Sequence, residues 1–311
     1  MKHIFIINPV AGKGKAVATI ESKINEVCRK LGIDYEIYIT EAAGAALKYA
    51  KKRAASGDEI RFYACGGDGT LYEVVNGAFG FSNAQVAVIP LGSGNDFIRL
   101  FGTKEDFLEI ENVINGVPTS LDVIKCGEQI AINQCSMGLD AEVCARQANF
   151  KKIPFMPGEA AYYAASLYSL MTKVKNKFTI SIDGGEPFTQ NCLFCLGGNS
   201  RWYGGGFKGA PLAIPNDGLL DFIIVESNMS RLKLLTLLNP YKAGEHLDWD
   251  ITKFVRGKKI TIHCDTPAAV NVDGECQFVT DSSFEIVENG IVFVVPKNSA
   301  FLTEKTMNAK A

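Results

Sequence analysis

A chain of 311 residues is long enough to bury a full core, in one large domain or in two. Its 47% hydrophobic and 21% charged residues suit a soluble globular protein, and a formal net charge of −2 excludes the domain-wide basic field that nucleic-acid binding needs. No run of about 18 apolar residues occurs, which excludes a membrane-spanning helix. The nine cysteines, odd in number and without framework spacing, read as reduced thiols of a cytoplasmic protein.

The first predicted strand is 3–7. Asn8-Pro9 breaks this apolar run and Lys13 and Lys15 follow it, the wrong order of charge for a signal peptide. Residues 16–31 carry Val17, Ile20, Ile24 and Val27 at helical spacing. A strand at 35–39, an alanine-rich helix at 42–55 closed by Gly57, and apolar strands at 60–65 and 85–90 complete a β-α-β rhythm. That rhythm predicts a parallel sheet with helices on both faces. From about residue 121 the period changes. Short strands at 121–126, 130–135, 178–182, 192–196, 220–225, 259–263, 269–272 and 283–287 predict an antiparallel sandwich, with Asp183-Gly184-Gly185-Glu186 as a hairpin turn. Helices at 159–173 and 231–238 interrupt it, the second with Ser230 as N-cap. His3, His246 and His263 are isolated. Cys192 and Cys195 have the spacing of a zinc or redox pair, but strand alternation places them on opposite faces, so no metal function is expected there.

Three of the first strands end in glycines plus a polar handle, each followed by helical sequence. They are Asn8-Pro9-Val10-Ala11-Gly12-Lys13-Gly14, Gly66-Gly67-Asp68-Gly69-Thr70 and Leu91-Gly92-Ser93-Gly94-Asn95-Asp96. Glycine lets backbone N–H groups approach a phosphate, and the carboxyl end of such strands is where open α/β sheets hold ligands. Asp68 cannot serve the phosphate directly, because like charges repel; it implies a bridging Mg²⁺ or a hydroxyl about to be phosphorylated. Together the turns describe a nucleotide triphosphate pocket built mainly from backbone donors. None is a Walker A loop or a dinucleotide fingerprint, since the spacings of both fail.

Almost the whole chain resembles the diacylglycerol kinase catalytic family in its soluble bacterial form, related to sphingosine and ceramide kinases. The motifs that carry the resemblance are Asn8-Pro9 with Gly12-Lys13-Gly14, Gly66–Thr70, and Pro90 with Gly92-Ser93-Gly94-Asn95-Asp96. Leu121-Asp122, Gly138-Leu139-Asp140, Tyr203-Gly204-Gly205-Gly206, Pro215–Asp221 and Val272-Asp273-Gly274-Glu275 follow in the family's order. The expected fold is an N-terminal parallel α/β nucleotide-binding domain (1–120) followed by an antiparallel β-sandwich domain (121–290). The resemblance implies that 291–311 returns to the first domain and that the active site lies in the cleft between the two.

It further implies an ATP-dependent kinase for a lipid hydroxyl, diacylglycerol first, with sphingoid base, ceramide or polyprenol as alternative acceptors. A catalytically silent nucleotide- or lipid-binding regulator and an NAD kinase are the other readings, the second disfavoured by the later motifs. Asn8, Pro9, Gly12, Lys13, Gly14, Gly66, Gly67, Asp68, Gly69, Thr70, Gly92, Ser93 and Asn95, with Thr40 and Glu73, are the candidate ATP-binding residues. Asp68, Asp96 and Asp122, whose convergence calls for Mg²⁺, are catalytic candidates; Asp96 could instead start the next helix as an N-cap. Glu275 corresponds to the family's base for the lipid hydroxyl, with Asp68 its rival and a plain Asp-Gly turn the alternative. Asp217, with carbonyls of Ile214 and Leu219, would hold a structural Mg²⁺. The stretch 149–158, with Lys151 and Lys152 among aromatics, is a candidate membrane-surface segment, and a core or ordinary loop is its other reading. The enzyme is expected in the cytoplasm, peripheral to the membrane during turnover, and a homodimer is allowed.

Overall fold

The computed structural model describes residues 1–14, 16–150 and 176–302, and the chain divides into two compact units. The first holds Met1–Leu121 and the stretch from Asn289 onward. Its strands and helices alternate: β1 (Lys2–Ile7), α1 (Ala16–Leu31), β2 (Tyr35–Ile39), α2 (Ala45–Ala54), β3 (Ile60–Gly66), α3 (Asp68–Ala78) and β4 (Ala84–Pro90), then short helices α4 (Lys104–Leu108) and α5 (Ile110–Ile114). The strands pair in the order β4-β3-β1-β2, all parallel, with Ile4 opposite Phe62 and Phe62 opposite Val86. Strands covered on both faces read as unbroken apolar runs, and Ile4 to Ile7 and Phe62 to Cys65 are fully buried. The alanines of α2 have a packing cause. Ala46, Ala50 and Ala54 face α3, where a Cβ on Gly77 would lie 2.5 Å from the Leu47 carbonyl. Small residues let the two helices touch backbone to backbone, and so fix where α3 begins.

The second unit, Asp122–Glu288, takes over midway through β5 (Val117–Cys126). It continues with β6 (Gln129–Ala131), β7 (Gln134–Gly138), α6 (Leu139–Phe150), β8 (Asn176–Ile182), β9 (Phe188–Gly198) and β10 (Leu220–Glu226). Helices α7 (Arg231–Thr236) and α8 (Leu238–Ala243) precede β11 (Thr252–Gly257), β12 (Lys259–Val272) and β13 (Glu275–Val295). Pairing is antiparallel in the order β11-β10-β9-β7-β12-β13. The long strands β9 and β12 each pair with β8 at one end and β7 at the other, which closes the sandwich. Beyond Glu288, β13 enters the first unit, where Val292 and Phe293 pair in parallel with Gln85 and Val86.

Several expectations need correcting. The predicted strands 259–263 and 269–272 are one strand, kinked where the register slips between His263 and Ala268. Residues 283–287 and 291–295 are likewise one strand, although Asn289 (φ 52°) and Gly290 read as a turn. Helix α2 starts at Ala45 because Gly44, at φ 79°, occupies its N-cap. Cys192 and Cys195 do not simply alternate. Val225 pairs with Phe194 but Glu226 with Cys192, so Leu193 is bulged and breaks the alternation between the two cysteines. Asp183 (φ 50°) and Gly184 (φ 72°) form the expected hairpin turn, and the Ser230 hydroxyl accepts from the Lys233 N–H at 3.4 Å as an N-cap. The predicted helix 159–173 and all but the first two residues of the 149–158 stretch lie outside the described residues.

Candidate active site

In the first unit the three glycine turns are physically joined. β3 ends at Gly66 and α3 begins at Asp68, so the chain reverses over a single N-cap glycine, Gly67. The turn after β4 rests on it: the N–H groups of Leu91 and Gly92 donate to the Gly66 carbonyl at 2.8 and 3.1 Å. A Cβ on Gly92 would lie 2.4 Å from the Gly67 Cα, so only glycine lets the two turns meet. The Asp68 carboxylate then accepts the N–H of Asn95 at 2.7 Å and of Asp96 at 2.8 Å, holding Asn95 in a left-handed conformation (φ 50°). From β1, the Asn8 amide donates to the Thr70 hydroxyl at 3.1 Å while its carbonyl oxygen accepts the Val10 N–H.

The first N–H groups of a helix lack intrahelical acceptors and carry the positive end of its dipole. Gly69, in the first turn of α3, is exposed, with nothing within 4 Å of a Cβ placed on it. An exposed helix N-terminus of this kind suits an anion. Asp96, 4% exposed, makes no capping bond with its side chain and instead pairs with Arg99 Nε at 3.2 Å. Arg99 and Lys104 also reach the carbonyls of Gly94 (3.4 Å) and Gly92 (3.2 Å), placing two cations at the loop that the motif reading missed. The Asp96–Arg99 spacing of three was a signal for the first; Lys104 had none. Glu73 caps α2, accepting the N–H groups of Gly44 at 2.8 Å and Ala46 at 3.0 Å. Thr40 is buried, its N–H on the Ile7 carbonyl at 2.9 Å, while Pro9 is half-buried and Ser93 exposed. Gly12 adopts φ 61°; the side chains of residues 13–16 lie outside the described set.

Asp122 belongs to the second unit, where it closes the loop at 215–218. Its N–H donates to the Pro215 carbonyl at 2.7 Å and its carboxylate accepts the Gly218 N–H at 2.9 Å. Asp217 pairs with Arg256 and accepts the Leu219 N–H at 3.2 Å. Arg256 also holds Asp221 at 2.9 Å, and Asp221 is 1% exposed. Burial pushes the Asp221 carboxyl up, and the guanidinium opposes that shift. The guanidinium therefore holds one side of the Asp217 carboxylate, where an ion bound at this loop would have to share or displace it. Among the described residues no group of three or more His, Cys, Asp or Glu is placed to hold a metal. Residue 256 is distant in sequence, but it lies directly opposite Asp221 across β10 and β11.

Glu275 is exposed and opens β13 after a tight turn at Asp273 (φ 48°) and Gly274 (φ 106°). The turn is rigid. Asp273 accepts N–H groups of Ile132 (2.5 Å), Asn133 (3.1 Å) and Gln134 (2.9 Å), and Asn271 Oδ1 accepts the Gly274 N–H at 2.7 Å. Asp273-Gly274 is thus a structural turn that presents Glu275 to solvent.

The same unit holds an apolar cavity that sequence pattern did not reveal. Val143 of α6, Phe194 of β9, Leu234 of α7, Leu238 and Tyr241 of α8, and Trp249 line it. One wall carries a carboxylate, Asp140, 8% exposed; burial pushes it up to about 6, against an opposing interaction with the Ser136 hydroxyl.

Comparison with known proteins bears on the family and the two-part fold. Residues 2–126 match the family model described as diacylglycerol kinase catalytic domain, and 133–295 match YegS C-terminal NAD kinase beta sandwich-like domain. A protein named diacylglycerol kinase from Bacillus subtilis (strain 168) is 29% identical over 308 residues, covering 96% of this chain and 98% of that one. A diacylglycerol kinase from Mycobacterium tuberculosis (strain ATCC 25618 / H37Rv) is 30% identical over 289 residues, 90% of each. Among solved structures, a diacylglycerol kinase from Bacillus anthracis str. Sterne superposes with a TM-score of 0.67 at 21% identity, covering 94% of this chain and 96% of that one. An NAD kinase from Archaeoglobus fulgidus in complex with ATP gives 0.54 at 13% identity, covering 100% and 99%.

Proposed function

The chain belongs to the diacylglycerol kinase catalytic family, and from that premise we propose that it transfers the γ-phosphoryl group of ATP to a lipid hydroxyl, diacylglycerol giving phosphatidate. The observation that carries the reading is the knot of three glycine turns at the exposed N-terminus of α3, locked by Asp68. The turns at 8–14, 66–70 and 92–95 cradle the phosphates through backbone N–H groups, with Arg99 and Lys104 adding positive charge at the third. Asp68 and Asp96 carry the carboxylates nearest these turns; Asp68 is engaged by two N–H groups and Asp96 by Arg99, bonds they would have to share with the divalent ion carried with ATP, and that ion would supply countercharge to the phosphoryl group in transfer.

Glu275 takes the proton of the acceptor hydroxyl. Its carboxylate is exposed, whereas both oxygens of Asp68 already accept backbone N–H groups, which favours Glu275 over its rival. The apolar cavity of the second unit, about 80 Å³, is too small for an acyl chain as it stands, so the lipid acceptor rests on the family and not on this space. A lipid acceptor would be met at a bilayer surface, and no helix among the described residues is long and apolar enough to cross one. The test is to incubate the protein with labelled ATP, Mg²⁺ and a total lipid extract and identify the labelled product by mass. Phosphatidate is expected. Nucleotide binding with no labelled lipid would favour a silent regulator, and labelled NADP from added NAD a different kinase.

A further inference from the structure

The nine cysteines divide by exposure. Seven are buried, and Cys144 and Cys276 alone are partly accessible. These two also face each other. The Cys144 thiol, on α6, lies 3.6 Å from the Gly274 carbonyl oxygen; the Cys276 thiol, second in β13, lies 3.8 Å from the same oxygen. Cys276 further reaches the carbonyl of Ala141 at 3.7 Å, three residues before Cys144 on the same helix face. One carbonyl oxygen, that of Gly274, is thus approached by both thiols.

We propose that Cys144 and Cys276 form an oxidisable dithiol whose disulfide ties α6 to the turn that presents Glu275. Its kinetic consequence rests on the role proposed for Glu275; the bond itself does not. The oxidant is a small-molecule disulfide. The Cys144 thiolate attacks one sulfur and expels the other as thiolate; Cys276 then attacks the Cys144 sulfur of the mixed disulfide and expels the second thiolate. One S–S bond forms in the protein, one breaks in the oxidant, two electrons pass to the oxidant's sulfurs, and its two thiolates take the two protons. The interaction with Cys144, followed by burial, pushes the Cys276 thiol well up. A covalent bond is shorter than the contact it replaces, so the turn is drawn toward α6, and a displacement of about 1 Å at a reacting group can cost roughly a hundredfold in rate.

The experiment exposes the full chain to glutathione disulfide, then reads intact mass, a peptide map, and lipid phosphorylation before and after dithiothreitol. Expected are the loss of two hydrogens without a glutathione adduct, a 144–276 cross-link, and a fall in turnover of about tenfold or more that dithiothreitol reverses. Cys144→Ser should keep reduced-state turnover and lose the sensitivity to oxidant. Separate glutathionylation of the two thiols, or a cross-linked protein that turns over like the reduced one, would overturn the inference. The mass and the map read the bond without turnover. An inactive reduced parent therefore counts against the proposed function, and a missing cross-link against the dithiol.

Discussion

Asp140→Asn is predicted to change how stability depends on pH. The parent carboxyl, in the wall of an apolar cavity, ionises near 6 instead of its ordinary 3.8 because burial penalises the charged form. The folded state thus holds the proton more tightly than the unfolded one. The carboxyl's contribution is fully present below about pH 3.8 and is lost as pH rises through about 6, where the folded chain must ionise it. Integrated over that interval the loss is about 3 kcal/mol at pH 8 and about half of that at pH 5. The amide has the shape of the carboxyl and no charge to bury. Any fixed cost of its own N–H groups is the same at every pH, so the change with pH is diagnostic. Thermal melts at constant ionic strength should show the variant gaining on the parent by roughly 5–10 °C between pH 4 and pH 8. Parallel profiles for the two proteins would refute a buried, proton-holding Asp140.

Asp68→Asn should cut turnover at least about a hundredfold; activity within about threefold of the parent would place the phosphate site elsewhere. The same change should lower stability by about 1–3 kcal/mol, because the amide turns an N–H toward the Asn95 or Asp96 donor. Glu275→Gln should lower kcat by roughly two to four decades with ATP affinity and Tm near the parent's, and a normal rate would disqualify Glu275 as the base. Arg256→Ala should cost about 2–4 kcal/mol by stranding the buried Asp221, against less than about 1 for Asp217→Ala. If Mg²⁺ raises the Tm of the parent but not of Asp217→Ala, a metal and not Arg256 is the working partner of Asp217.

What the chain disclosed in advance was set by local physics. Buried parallel strands must be apolar along their length, and 3–7, 60–65 and 85–90 were legible for that reason. Turns that press backbone on backbone must be glycine, and Gly67 and Gly92 marked two of the site loops accordingly. The change of period near residue 121 marked the antiparallel second part, and the resemblance supplied the return of the tail to the first. Features that depend on a distant partner stayed hidden. Asp217 meets Arg256 only because β10 and β11 pair Asp221 with Arg256. Asp68 read as a partner of Mg²⁺ or of an acceptor hydroxyl, and the two N–H donors it serves from the next loop were not visible. The apolar cavity draws on α6, α7, α8, β9 and β10, and no periodicity in any one of them marks an unfilled space. Asn289-Gly290 has turn composition, but the strand runs through it and pairs in the first unit at Val292.

The most direct test of the central claim is phosphoryl transfer from γ-labelled ATP to diacylglycerol presented in vesicles, with the parent and Asp68→Asn measured side by side. The account predicts labelled phosphatidate from the parent, abolished by removal of Mg²⁺ and reduced about a hundredfold or more in the variant. Equal labelling by both proteins, or ATP bound tightly by the parent with no lipid labelled, would contradict it.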